Sequence, residues 1–238
     1  YGAYTDFIVP RFAVASILAA LDYRMHSGEG LHIDISQLEA SLHFSSPFIL
    51  DYSTNNRIQG RKGNRDDIDS PHGIYPCSGT DRWIAIACTN DVEWDALATA
   101  IDPVGNLWPH DGRFGTLERR RESEDELDVL IAEWTLQWKP IELMMTLQTA
   151  GVPAGMVNNA QDLFEDPQLK HRGHFKHLIH PEIGTFAADK SEFILSDTPG
   201  SLDSAGPLMG QHNKRVLNDI FGISEDEYQS LEDDGVLS

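Results

Sequence analysis

The stretch from His72 to Val157 constrains the fold most, because short apolar runs there alternate with helical patterns. His72 to Thr89 reads as two strands around a turn at Ser78-Gly79-Thr80-Asp81, and Trp83 to Cys88 is the more apolar of the two. Asn90-Asp91 then opens a helix over Val92 to Ile101, and Gly105 to Gly115 reads as loop. Thr116 to Trp138 is mostly helical, with Leu127, Leu130, Ile131 and Trp134 on one face. Pro140 to Ala150 is a further helix ended by Gly151, and Val152 to Val157 is a strand interrupted by Pro153 and Gly155. Short strands returning after helices need helices packed on the sheet to bury its apolar face. The expectation is a small α/β domain at 71–157.

The flanks read as pieces that pack elsewhere. Phe7 to His26 has apolar residues near helical period, with Pro10 near the first turn and a stop at Ser27-Gly28-Glu29-Gly30. Asp6 stands where an N-cap belongs. Leu31 to Ile35 alternates as a short strand. Ser36 caps a second helix, with Glu39 as capping-box partner, and that helix runs to about Ser45. Asp51 to Ser70 is polar loop. Beyond the module, Ala160 to Phe164 is a short helix and Pro167 opens a second short turn. Phe175 to Ile179 and Thr185 to Phe193 read as strands, and Ser196 to Gly210 as a Pro/Gly-rich return. Gln211 to Phe221 and Ser224 to Glu232 read as helices. The expected layout is 1–45 as a large-domain segment, 46–70 linker, 71–157 small domain, 158–185 linker and 186–238 a return to the large domain. The chain opens on Tyr1 without an initiator Met, so a piece of a larger protein is expected.

Charge excludes some partners. Lys and Arg total 18 against 38 Asp and Glu, a formal net charge of -20. Such a surface repels phosphate backbones and anionic lipid, so neither nucleic acid nor membrane is expected as partner. No apolar run in the sequence approaches the roughly 20 residues of a spanning helix. Two cysteines, Cys77 and Cys88, fit a reducing compartment, and a cytoplasmic location is expected.

Four stretches in order resemble class III CoA-transferases, the CaiB/BaiF family of formyl-CoA and carnitine CoA-transferases. They are Tyr4-Thr5-Asp6 with its helix to Gly30; Ile33-Asp34-Ile35-Ser36-Gln37-Leu38-Glu39-Ala40; Gly151-Val152-Pro153-Ala154-Gly155-Met156-Val157 with Asp166-Pro167-Gln168-Leu169; and Leu195-Ser196-Asp197-Thr198-Pro199 with Gly206-Pro207-Leu208-Met209-Gly210-Gln211-His212. The resemblance implies an α/β fold: a partial class III CoA-transferase fold, with the small domain flanked by segments of an incomplete Rossmann-like large domain. The N-terminal half, which in the family supplies most CoA contacts, precedes the position of Tyr1.

The resemblance also implies that Asp6 is the catalytic nucleophile, passing through an acyl anhydride and an aspartyl-CoA thioester. The substrates would be an acyl-CoA and a small carboxylic acid, with CoA thioester as substrate rather than cofactor and no metal. The family's interlocked dimer implies a homodimer, or a heteromer with a chain supplying the N-terminal half, with crossings near 45–70 and 157–185. The family's glycine-rich oxyanion loop would correspond to Gly60-Arg61-Lys62-Gly63-Asn64, which has no glycine run.

Blander roles compete. Asp6 as a helix cap would be worth ~1 kcal/mol. His171, His174, His177 and His180 recur every third residue, a step that alternates faces in a strand, so a surface strand is expected rather than a metal site. The charged run Glu118 to Glu126 reads as a solvated helix start, and its Arg119, Arg120 and Arg121 as neutralised by neighbours. Trp134, Trp138, Met144 and Met145 fit core packing, Cys77 and Cys88 buried thiols. His72 and Tyr75 could face an acyl site. The functional alternatives are a non-catalytic fragment active only with a partner, and an α-methylacyl-CoA racemase-like isomerase. That racemase has a Glu just after the small-domain strand, where this chain has Asn90.

Overall fold

The structure is a computed structural model that describes residues 3–102 and 107–237. The start of the expected 105–115 loop therefore lies outside the described residues. The core sits between Tyr75 and Val152. Strands β1 (His72–Pro76), β2 (Trp83–Ala87) and β3 (Ala154–Val157) form an antiparallel sheet in the order β1-β2-β3. His72 pairs with Ala87 and Ile74 with Ala85; Ala85 in turn faces Gly155 on β3.

Strand alternation divides the residues between two faces. Tyr75, Ile84 and Ile86 face inward and are buried. Helices α4 (Asp91–Ile101), α6 (Glu124–Thr135) and α7 (Pro140–Thr149) supply the rest of the core through Trp94, Leu97, Ile101, Leu127, Ile131, Trp134, Leu143 and Leu147. Ile74, Trp83 and Val157 lie on the opposite, open face. Asn90 caps α4 by accepting from the Glu93 N–H at 3.0 Å. The segment Thr116 to Trp138 is two helices rather than one: α5 (Leu117–Glu122) stops at Ser123, where α6 begins.

The N-terminal part is helical and far less buried. α1 spans Tyr4–Ser27 and ends at Gly28, whose φ of 79° only glycine adopts without strain. Asp6 lies inside the first turn and does not cap it: Ala3 is the N-cap residue and makes no side-chain capping bond. Pro10 stands in the second turn. By length and composition α1 is apolar enough to cross a membrane, contrary to the expectation that no run in the chain approaches that length. The same test is passed by core helices of globular proteins.

Leu31 to Ile35 is neither helix nor strand, and among the described residues no strand pairs with it. Ser36 does cap α2 (Gln37–Leu42), accepting from the Glu39 N–H at 3.2 Å. A 3-10 turn follows, then α3 (Ser46–Asn55), with Pro47 in its first turn. The polar stretch expected as loop from Asp51 is therefore helical to Asn55. Phe12 stacks on His43 and meets Phe44 edge-on, which ties α1 to the turn after α2.

After the module come α8 (Ala160–Glu165), α9 (Pro167–Arg172) and a hairpin of β4 (Phe175–His180) with β5 (Gly184–Asp189). The last of these ends four residues short of the expected Phe193. α10 (Asn213–Arg215) runs into a π-helical turn over Val216–Ile220, and α11 (Glu225–Asp233) completes the described chain.

Candidate active site

Two places carry chemistry. The first is the head of α1. Asp6 is exposed, so its carboxylate is open to a reactant. Gln37, the first residue of α2, points its amide at it: Nε2 donates to Asp6 Oδ1 and, at 2.6 Å, to Thr5 Oγ1. One oxygen of the carboxylate is thus held, and among the described residues no hydrogen-bond partner engages the other. α2 can place Gln37 there because Ser36 fixes the start of that helix. The first turn of a helix also leaves backbone N–H groups without intrahelical acceptors.

The second place is the open face of the three-stranded sheet. A cavity of about 540 Å³ is lined there by Asn64, His72, Ile74, Ala85, Ala87 and Gly155, among others. Small residues on β2 and β3 leave the floor low. His72 Nδ1 is hydrogen-bonded to the Asn64 backbone oxygen, which can only accept, so the ring proton sits on Nδ1 and Nε2 is left as an acceptor. Asp6 does not line this cavity.

Tyr75 does not share the face of His72. Three residues on in a strand reverses the direction, and Tyr75 is buried, its O–H donating to Asp128 Oδ1 at 2.8 Å. Burial, then the Asp128 charge, pushes its phenol well above the usual range. Cys77 and Cys88 are buried free thiols, and burial pushes Cys88 up to about 12. Trp134 is buried and Trp138 and Met144 pack against the core, whereas Met145 is exposed.

His174 lies 4.0 Å from Asp189 and edge-on to Phe175, and His180 Nδ1 accepts the Glu182 N–H, so these rings serve the hairpin. Among the described residues no group of three or more His, Cys, Asp or Glu is placed to hold a metal.

The sequence reading missed three residues. Gln37 stands in one of the four motifs, but its contact with Asp6 spans 31 positions and has no local signal. Arg120, read as part of a solvated run, is fully buried. Its Nε donates to the Ser70 carbonyl at 2.8 Å, Nη1 to Phe114 at 3.1 Å and Nη2 to Asp91 at 2.8 Å, with the guanidinium 4.9 Å over Trp94. Arg65 sits in the polar loop and is claimed by acids of α6.

This arrangement belongs to a known class. The chain is a member of CoA-transferase family III, whose sequence profile matches residues 2–213. It is 33% identical over 227 residues to a succinyl-CoA–D-citramalate CoA-transferase of Chloroflexus aurantiacus, covering 95% of this chain and 56% of that protein. It is 29% identical to a succinate–glutarate CoA-transferase of Agrobacterium fabrum, covering 93% of this chain and 54% of the relative. A CaiB/BaiF family protein from Brucella suis superposes with a TM-score of 0.81 at 29% identity, covering 92% of this chain and 56% of that structure. The chain thus spans about half the length of these relatives. The partial class III fold expected from the sequence agrees with that match.

Proposed function

We propose that this chain carries the nucleophile and small domain of an enzyme that moves CoA from an acyl-CoA to a carboxylic acid. One free oxygen of Asp6 attacks the thioester carbonyl; the C–S bond breaks and CoA leaves as thiolate, giving a mixed anhydride. The thiolate attacks the aspartyl carbonyl of that anhydride and the donor acid leaves with the bridging oxygen. The acceptor carboxylate then attacks the aspartyl-CoA thioester and expels the thiolate. Attack of the thiolate on the acceptor's acyl carbon releases the new acyl-CoA and restores Asp6. Backbone N–H groups near each tetrahedral centre would stabilise its oxyanion.

The observation that carries the reading is the exposed Asp6 carboxylate, held on one oxygen by Gln37, in a chain of this family. Family relatives named for succinyl-CoA, citramalate and glutarate favour small dicarboxylic acids as substrates. Residues outside this chain, on the same polypeptide or a partner, would bind most of CoA. A homodimer, or a heteromer with a chain that supplies the N-terminal half, is the assembly we propose, and relatives from Chloroflexus aurantiacus named as alpha and beta subunits of a succinyl-CoA–L-malate CoA-transferase support the second. A cytoplasmic location fits these acids.

The test is Asp6→Asn in the complete enzyme, with succinyl-CoA and a panel of small acids followed by mass spectrometry. Loss of acid-to-acid transfer, together with a CoA adduct on the wild-type peptide carrying Asp6, is the expected result. Unchanged transfer by the Asn variant would remove the proposal. Exchange of an α-proton with solvent in place of transfer would point to the isomerase.

A further inference from the structure

We propose that Arg65 is a positioning residue for CoA transfer, holding the Asn64 backbone and, through it, the His72 ring at the wall of the open-face cavity. This rests on the CoA-transfer reading above. The stretch between α3 and β1 has no helix or strand to hold it. Its ends are held by Arg57 on Asp51 and by Arg120 on the Ser70 carbonyl, and Arg65 ties its middle to α6. Arg65 Nη2 donates to Asp125 Oδ1 at 2.7 Å and to Asp128 Oδ2 at 2.8 Å, its Nε to Asp128 Oδ2 at 3.3 Å, and Glu124 Oε2 lies 3.6 Å away. Asp128 is itself bonded to the buried Tyr75 hydroxyl. A continuous line therefore runs from the core through Asp128 and Arg65 to the carbonyl of the preceding residue, Asn64, and from there to His72 Nδ1.

Asp125 is 94% exposed, and its pair with Arg65 contributes little to folding, whereas Asp128 at 30% and Glu124 at 14% make the cluster part of the fold as well. Three acids converge on one arginine, and the segment they fix separates two cavities, the one on the open face and another of about 400 Å³ against α6. His72 lines both. With its proton on Nδ1, the neutral ring offers Nε2 as an acceptor to a hydroxyl group of the acid being exchanged. A ring displaced by about 1 Å loses that alignment, at a cost of up to about a hundredfold in rate.

The experiment measures kcat, KM and thermal midpoint for the complete enzyme with succinyl-CoA and the acid panel. The variants are Arg65→Met, Arg65→Lys, His72→Ala and the double variant Arg65→Met/His72→Ala, with Asp6→Asn in parallel. Arg65→Met should lower kcat about tenfold or more at a temperature where the variant is fully folded. Arg65→Lys should fall between, since an ammonium cannot span several carboxylates. The double variant should be no slower than His72→Ala alone, because both changes remove one effect. Wild-type kcat in Arg65→Met, a rate loss that tracks a fall in the midpoint, or additive losses in the double variant would each overturn the inference. Should Asp6→Asn transfer CoA normally, or wild type serve no acid of the panel, the CoA-transfer reading fails and takes this one with it. An inactive Asp6→Asn beside a fully active Arg65→Met removes the Arg65 role alone.

Discussion

Replacing Arg120 by Ala should destabilise the small domain by about 4 kcal/mol, and the structure shows how that figure arises. The guanidinium is fully buried and binds two backbone carbonyls, of Ser70 and Phe114, in residues that are themselves buried. Stranding a buried acceptor costs ~1–3 kcal/mol, so two of them cost ~2–6. Loss of the cation stacked on Trp94 adds roughly 1. Solvent entering beside Ser70 would recover part of this, which places the sum near the middle of the range. The Asp91 contact adds little, because the Asp91 side chain is 58% exposed. Asp91→Asn keeps an oxygen acceptor and should cost under about 1 kcal/mol. Urea unfolding followed by tryptophan fluorescence reads both variants, with the slope checked so that midpoints are comparable. If Arg120→Ala cost less than about 1 kcal/mol, or Asp91→Asn cost as much as Arg120→Ala, the backbone-acceptor account would be refuted.

Three other outcomes follow from the same contacts. Gln37→Leu frees the Asp6 carboxylate from its amide partner and should lower kcat roughly tenfold with stability unchanged, by steady-state kinetics on the complete enzyme. Cys88, buried with its thiol pushed up to about 12, should resist iodoacetamide in the native chain at pH 8 and react on unfolding, as counted by mass spectrometry. The Arg113 guanidinium beside Asp111 lowers that carboxyl to about 2. Its folded value lies below the unfolded one, so the native state binds fewer protons and stability rises with pH between about 2 and 4. Any stability difference between wild type and Asp111→Asn should be present at pH 5 and largely lost at pH 2 in thermal melts.

What was legible in the sequence follows where each element finds its neighbours. The strands at His72 and Trp83, the Asn90 cap and the α7 helix were readable because their apolar partners lie within the same 80 residues. Alternation and helical period carry that information directly. Arg120 was not readable: a charge in a run of charges gives no sign that three acceptors 6, 29 and 50 positions away will enclose it. The nucleophile candidate was legible only through the four-motif resemblance. Its local pattern reads equally as a cap, and the structure shows that it is not one.

The two larger misreadings, at Leu31 to Ile35 and on α1, have one physical cause. An alternating apolar segment becomes a strand only beside another strand, and Leu31 to Ile35 has none among the described residues. α1 has Val14, Ile17, Leu18 and Leu21 exposed, enough apolar surface for its composition to resemble a membrane span. Arg11 on the same helix is paired with Glu192 at 2.7 Å, so α1 lies beside the returning chain there. Large side chains are exposed along α1 to α3, among them Leu18, Phe44 and Leu50, and contiguous apolar surface of that kind is what contact surfaces are made of. The chain matches only about half of its relatives' length. We therefore expect α1 and the 31–35 segment to be completed by residues beyond these 238. Joined to an N-terminal half of the family's type, α1 should gain amide-exchange protection across Val14 to Leu21, while the 71–157 module exchanges at an unchanged rate. Equal protection of α1 with and without that half would show that its apolar face serves some other contact.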